Sequence, residues 1–192
     1  MFVDTISQNK MLRQATTRLH PQWWSELDLE TLHSVQEHNQ LVNKRLDNVI
    51  LSRAGCQSVW LSECSEEMNK WLSVLPRISL IATAAGLLSQ NCPDYLWDSS
   101  YRSVLKQKFT QPQIEQLIAL WPTGSEPPAW SENDVLEQAE FFSASAIYYL
   151  WSDQPFWLLF RLSLPVLDTP MALTQDDIER VESWIFRLER FL

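Results

Sequence analysis

Thr174-Gln175-Asp176-Asp177-Ile178-Glu179-Arg180-Val181-Glu182-Ser183-Trp184-Ile185-Phe186-Arg187-Leu188-Glu189-Arg190-Phe191-Leu192 reads as one amphipathic helix and sets the fold class. Ile178, Val181, Ile185, Leu188 and Leu192 recur at alternating steps of three and four, which aligns them along a single seam. Glu179, Arg180, Glu182, Arg187, Glu189 and Arg190 flank the seam, and Trp184 and Phe191 widen its apolar side. Thr174 is placed to cap the first turn, where Asp176 and Asp177 meet the positive end of the helix dipole. Such a seam serves either the core of its own domain or the surface of another subunit.

Upstream, the same period recurs. Leu29, Leu32, Val35, Val42, Leu46, Val49 and Ile50 predict a long helix from near Asp28 toward Leu51, with Gly55 as its stop. Ser65 caps a short helix carrying Met68, Trp71, Leu72 and Leu75, and Pro76 opens the next. That next helix, around Ile78 to Leu88, is apolar nearly all round; Ala82, Ala84, Ala85 and Gly86 suit a central position packed on several sides, and Cys92-Pro93 ends it. Two further helices are expected near Ser99 to Phe109 and Thr110 to Trp121, the second opened by the pair Thr110 and Gln113. A proline-rich loop at about 122–129 precedes a long helix capped by Ser131 and Asp134. Asp153-Gln154-Pro155 interrupts it, and a short apolar helix then runs from Pro155 to Leu164, broken only by Arg161. With three glycines and no Asn-Gly or Asp-Gly hairpin turn, the expectation is an all-α fold, a single irregular multi-helix domain over residues 1–192.

Composition narrows the function classes. A hydrophobic share of 45% against 20% charged residues is that of a globular chain, and the 192 residues can bury a core without metals or disulfides. The formal net charge of −9, with no basic stripe, argues against a nucleic-acid backbone as partner. Cys56, Cys64 and Cys92 form no regular pattern, which suits a reducing compartment. The start, Met1-Phe2-Val3-Asp4-Thr5, lacks the features of a signal peptide, so a cytoplasmic chain without direct membrane insertion is expected.

Chemistry-bearing patterns are scarce. His33 and His38 are five apart, the wrong spacing for a helical metal pair. No phosphate-binding glycine loop, nucleophile elbow or Cys-x-x-Cys pair occurs. Hence no catalytic residue, metal site or cofactor is expected. Two aromatic stretches stand out instead. In Leu19-His20-Pro21-Gln22-Trp23-Trp24, Pro21 opens a short helix, His20 suits a cap, and the adjacent rings point different ways, one toward the core and the other toward a partner. Trp121 to Trp130 and Phe156-Trp157-Leu158-Leu159-Phe160-Arg161-Leu162 read as core or as a contact surface.

These segments, in order, resemble the SctK family of type III secretion sorting-platform accessory proteins. The resemblance lies in Leu12-Arg13 with Leu19-His20-Pro21, the apolar helix around Leu80 to Leu88, Ile118-Ala119-Leu120-Trp121-Pro122, and Trp157-Leu158-Leu159-Phe160-Arg161-Leu162-Ser163-Leu164-Pro165. Many relatives have a Cys-Pro pair shortly before the Leu-His; this chain has Gln14-Ala15-Thr16-Thr17 there. The resemblance implies a non-enzymatic cytosolic adaptor. It would join the cytoplasmic forkhead-associated domain of the inner-membrane ring protein SctD to the pods of SctQ, and so indirectly to SctL and the SctN ATPase. Trp184, Arg187 and Phe191 on the last helix, with Trp24 near the start, are the expected partner-binding residues. A type III secretion chaperone or regulatory binding protein is the competing reading, although the roughly 34-residue period of helical-repeat chaperones is not found.

Overall fold

A computed structural model describes residues 5–33, 40–121 and 124–192. Its helices are α1 (Thr5–Arg13), α2 (Gln22–Glu26), α3 (Glu30–His33), α4 (Gln40–Arg53), α5 (Glu66–Val74), α6 (Ile78–Ser89), α7 (Asp94–Trp97), α8 (Ser99–Leu105), α9 (Gln111–Ala119), α10 (Val135–Trp151), α11 (Pro155–Phe160) and α12 (Gln175–Leu188). No strand occurs among the described residues, so the fold is all-α as expected. The chain divides into two compact units, each assembled from two segments. Unit 1 comprises Met1–Pro76 and Trp151–Val166; unit 2 comprises Arg77–Leu150 and Leu167–Leu192.

In unit 2, α12 packs along α6. The seam residues Val181, Ile185 and Leu188 are fully buried and Ile178 nearly so, because one apolar stripe on α12 meets a helix that is apolar on every side. The pair runs antiparallel and is tied at both ends by arginines. Arg180 Nη1 donates to the Ser89 carbonyl at the end of α6 (2.9 Å), and Arg77 Nη2 donates to the Glu189 carbonyl just past α12 (3.2 Å). Each supplies a cation and donors where a helix C-terminus leaves carbonyls unpaired. Thr174 accepts from the Asp177 N–H and Asp177 returns the bond, which completes the capping box. The helix stops at Leu188, one turn earlier than the apolar spacing alone implies, and Leu192 is half-buried.

On another side of α6, Gly86 meets α10. A Cβ at Gly86 would lie 2.0 Å from the Ala139 carbonyl oxygen, so only hydrogen fits there. The Thr110–Gln113 capping box opens α9 as read from the sequence. Ser131 Oγ donates to Asp134 Oδ2 (2.6 Å), but a turn intervenes and α10 begins at Val135.

Unit 1 corrects one expectation. Asp28 does not start a long helix; at φ 53° it ends α2. The Leu29 N–H returns to the Trp24 carbonyl (2.7 Å) and the Asp28 N–H to that of Ser25 (3.0 Å), a Schellman ending. Arg53 then donates from Nη1 to the Leu27 and Asp28 carbonyls. With the chain reset at Asp28 the stripe is broken. Leu29, Leu46 and Ile50 are buried, whereas Leu32 and Val49 are exposed; Val35 lies outside the described residues. Gly55 does stop α4: at φ +72° it lets the Cys56 N–H reach the Leu51 carbonyl (2.9 Å).

The core of unit 1 is aromatic. Trp71 on α5 is fully buried and meets Trp151 and Phe160 edge-on, at ring-centroid distances of 6.3 and 5.9 Å. Phe156 joins Trp151 and Phe160, each at 5.0 Å. Offset and edge contacts of this kind add to the area the rings bury. The helical run Glu66–Ser89 is long and apolar enough to cross a membrane by length and composition, and 72% of its most apolar window is buried in the protein.

Candidate functional site

Two motifs far apart in sequence meet in unit 1. The segment Arg161–Leu164 forms a tight turn after α11, which frees several of its backbone groups for other partners. The His20 N–H donates to the Leu162 carbonyl (2.8 Å), and Trp23 Nε1 donates to the Leu164 carbonyl (2.9 Å). The Val166 N–H donates to Gln22 Oε1 (3.0 Å). Arg161, the one charge in the apolar run, lies over the Trp23 ring with its guanidinium carbon 5.3 Å from the centroid, and donates from Nη2 to the Ala54 carbonyl (3.0 Å). Its planar cation thus serves a ring face and a helix end together, which an ammonium does less well. Arg161→Lys is therefore expected to lower stability by about 1–2 kcal/mol, read as a shift of the urea midpoint; an unchanged midpoint would refute this role.

Arg18 adds a second tie, donating to Ser163 Oγ (2.6 Å) and to the Leu12 carbonyl. Burial lowers its pKa to about 10, against the opposing pull of Cys56 and Asp47. Asp47 also accepts from the Thr16 N–H and Oγ1, both at 2.8 Å. His20 Nδ1 accepts from the Gln22 N–H (3.4 Å), a capping role as expected.

Both adjacent tryptophans are buried, which corrects the expectation that one ring is left for a partner. Trp23 is 6% exposed and Trp24 5%. Their rings point different ways, but each has its own cover: the turn at Arg161–Leu164 over Trp23, and α3 over Trp24, where the His33 ring packs edge-on at 4.9 Å. His38 lies outside the described residues.

On α12 the expected contact residues differ in setting. Trp184 is 8% exposed and belongs to the core of unit 2. Arg187 is exposed and holds its guanidinium 4.9 Å from the Trp184 ring centroid, and Phe191 is 45% exposed. Arg187 and Phe191 are therefore the part of the set that solvent reaches.

The end of the proline-rich loop is pinned at Ala129 and Trp130. Tyr95 Oη accepts from the Ala129 and Trp130 N–H groups, both at 2.9 Å, and Tyr101 Oη donates to the Trp130 carbonyl (2.7 Å). The Trp130 ring stacks on Tyr95 at 5.7 Å with 10° between planes. Pro122 and Thr123 lie outside the described residues. Sequence reading missed α7, whose Trp97 stands 50% exposed beside Trp121. A slight signal was present: Pro93 precedes Asp94 in the first turn, a helix start, and Asp98 caps α8 after it, accepting from the Ser100 N–H (2.7 Å).

Cys56 and Cys92 are buried and Cys64 half-buried, all as free thiols, and burial raises the pKa of each. Thiolate, the reactive form, is thereby disfavoured. No group of three His, Cys, Asp or Glu side chains among the described residues could hold a metal ion. Lys108 pairs with the buried Glu140 at 2.6 Å, an ion pair inside unit 2.

A family model described as a type III secretion system subunit matches residues 7–166. Nothing matches among curated proteins or solved structures. The matched span contains both the Leu19-His20-Pro21 motif and the Trp157–Pro165 motif whose backbones meet in unit 1. The chain belongs to this family of type III secretion system subunits.

Proposed function

We propose that this protein is a non-enzymatic, cytoplasmic adaptor of the type III secretion sorting platform, of the SctK kind. It works at the inner-membrane base of the machine, joining an SctD-like ring protein to an SctQ-like pod and, through it, SctL and the SctN ATPase. The observation that carries the reading is the family match over residues 7–166 together with the ordered motifs inside it. Of these, Leu19-His20-Pro21 and Trp157–Pro165 meet in unit 1 through backbone hydrogen bonds, a structural use that asks for no catalytic group.

Charge supports the same reading. Unit 2 holds 14 acidic against 7 basic side chains and so carries −7 of the formal −9; unit 1 holds 10 against 8. An acidic unit suits basic faces on other proteins and raises their association rate at low salt. Mechanism in such a protein is affinity and geometry alone: no cofactor, no nucleic acid and no insertion into the bilayer is invoked.

Arg187 on α12 and Phe191 just past its end are the proposed SctQ contact, with Trp184 beneath Arg187 orienting it; the buried Trp24 supports unit 1 from within. Arg187→Glu combined with Phe191→Ala is expected to weaken SctQ binding about tenfold while far-UV circular dichroism and melting stay unchanged. Full SctQ affinity in the folded double variant would remove the assignment. For the adaptor itself the test is a pull-down from a secretion-competent strain. Recovery of SctD and SctQ homologues is expected, and recovery of effectors alone would overturn it in favour of a chaperone.

A further inference from the structure

Two tryptophans of unit 2 form an exposed pair on a prearranged surface. Trp97, at the end of α7, and Trp121, after α9, meet in a T-shape at 5.6 Å and 67°; Trp97 remains 50% exposed and Trp121 half-buried. Neighbouring backbone is held in place: the Glu126 N–H donates to the Asn91 carbonyl (3.0 Å), and the Tyr95 and Tyr101 hydroxyls hold Ala129 and Trp130. Along residues 92–102 and 124–130 the exposed charged side chains, Asp94, Asp98 and Glu126, are all acidic, while the cation Arg102 on α8 is half-buried.

We propose that the Trp97–Trp121 pair, flanked by Asp94, Asp98 and Glu126, docks a basic segment of a partner protein, with an arginine or lysine side chain laid against the Trp97 ring. The aromatic face attracts a cation and covers its aliphatic stem, and the carboxylates pair with flanking charges. The sign of the charge decides the class of occupant. A phosphate backbone or an anionic lipid surface is repelled by these carboxylates and by the −7 of unit 2, whereas a basic protein segment is attracted. Because tyrosine hydroxyls already hold Ala129 and Trp130 and the two tryptophan rings already meet, binding loses little entropy in arranging those groups. The inference stands apart from the α12 contact and from the identity of the partners in the secretion machine.

The test uses the full chain and two eight-residue peptides, one alternating arginine with serine and one alternating glutamate with serine. Indole Nε1–H signals are followed by NMR, with that of Trp97 assigned from its disappearance in Trp97→Ala. Saturable shifts of the Trp97 and Trp121 signals with the arginine peptide are expected, and none with the glutamate peptide. Affinity is expected to fall about tenfold in Trp97→Ala and about threefold in Asp94→Asn/Glu126→Gln at low salt. The second variant changes only exposed charges and keeps the fold testable. Equal shifts with both peptides, or unaltered arginine-peptide affinity in both variants, would overturn the proposal.

Discussion

Gly86→Ala is expected to lower the stability of the protein by about 3 kcal/mol or more, since a Cβ there would meet the tightest contact of the three glycines. The added methyl would sit 2.0 Å from the Ala139 carbonyl oxygen and 2.7 Å from the carbonyl carbon. These are backbone atoms, so no rotamer change relieves the clash; α6 and α10 must separate along their length. Separation opens the apolar face of α6, where Ala82, Ala85 and Leu87 are fully buried. Against this, alanine gains up to about 1 kcal/mol over glycine in helix propensity, too little to compensate. Urea unfolding with an unchanged m-value is the measurement. Ala139→Gly in the same chain should not restore stability, because the offending oxygen remains. A loss below about 1 kcal/mol, or rescue by Ala139→Gly, would show that the two helices can slide apart cheaply.

Trp71→Ala is expected to cost about 3–5 kcal/mol, through unit 1 rather than unit 2. The side chain is fully buried and is the centre on which Trp151 and Phe160 place their edges. Its removal leaves a void that rings spaced 5 to 6 Å apart cannot fill by rotation. Trp71→Phe keeps an aromatic face and is expected to retain more than half of the lost stability, whereas Trp60→Ala, at a position 56% exposed, is expected to stay within about 0.5 kcal/mol. Near-UV circular dichroism gives a second readout, since the edge-on Trp71–Trp151 pair should contribute a band that Trp71→Ala removes. Equal destabilisation by the Trp60 and Trp71 truncations would refute the buried-cluster account.

These effects lie in the scaffold, where Leu19-His20-Pro21 and the run from Trp157 to Pro165 also act. Both were legible as segments, but their meeting through the His20–Leu162 and Trp23–Leu164 hydrogen bonds was not. Periodicity describes one helix at a time and says nothing about which loop closes over a ring. Reading one of Trp23 and Trp24 as free for a partner failed for that reason: α3 and the turn after α11 each bring their own cover.

What the sequence by itself determined is the class of local structure and where it stops. Thr174, Thr110 and Ser65 cap helices through hydrogen bonds with groups no more than three residues away, and Gly55 ends one through its positive φ, so short-range chemistry suffices. The seam on the last helix likewise marked one apolar face, since a 3.6-residue period aligns Ile178, Val181, Ile185 and Leu188, and the fold turned that face into its own core rather than leaving it to another subunit. Only the tertiary structure decided which apolar residues remain in solvent. Val49 shares α4 with Leu46 and Ile50 and stays exposed while they are buried, and Leu32, beyond the Asp28 turn, is exposed as well. Trp184 and Phe191 both widen the apolar side in the sequence, yet Trp184 is buried within α12 and Phe191, past the helix end at Leu188, is exposed. Exposure depends on what arrives from elsewhere in the chain, a sum over long-range contacts that no local pattern contains.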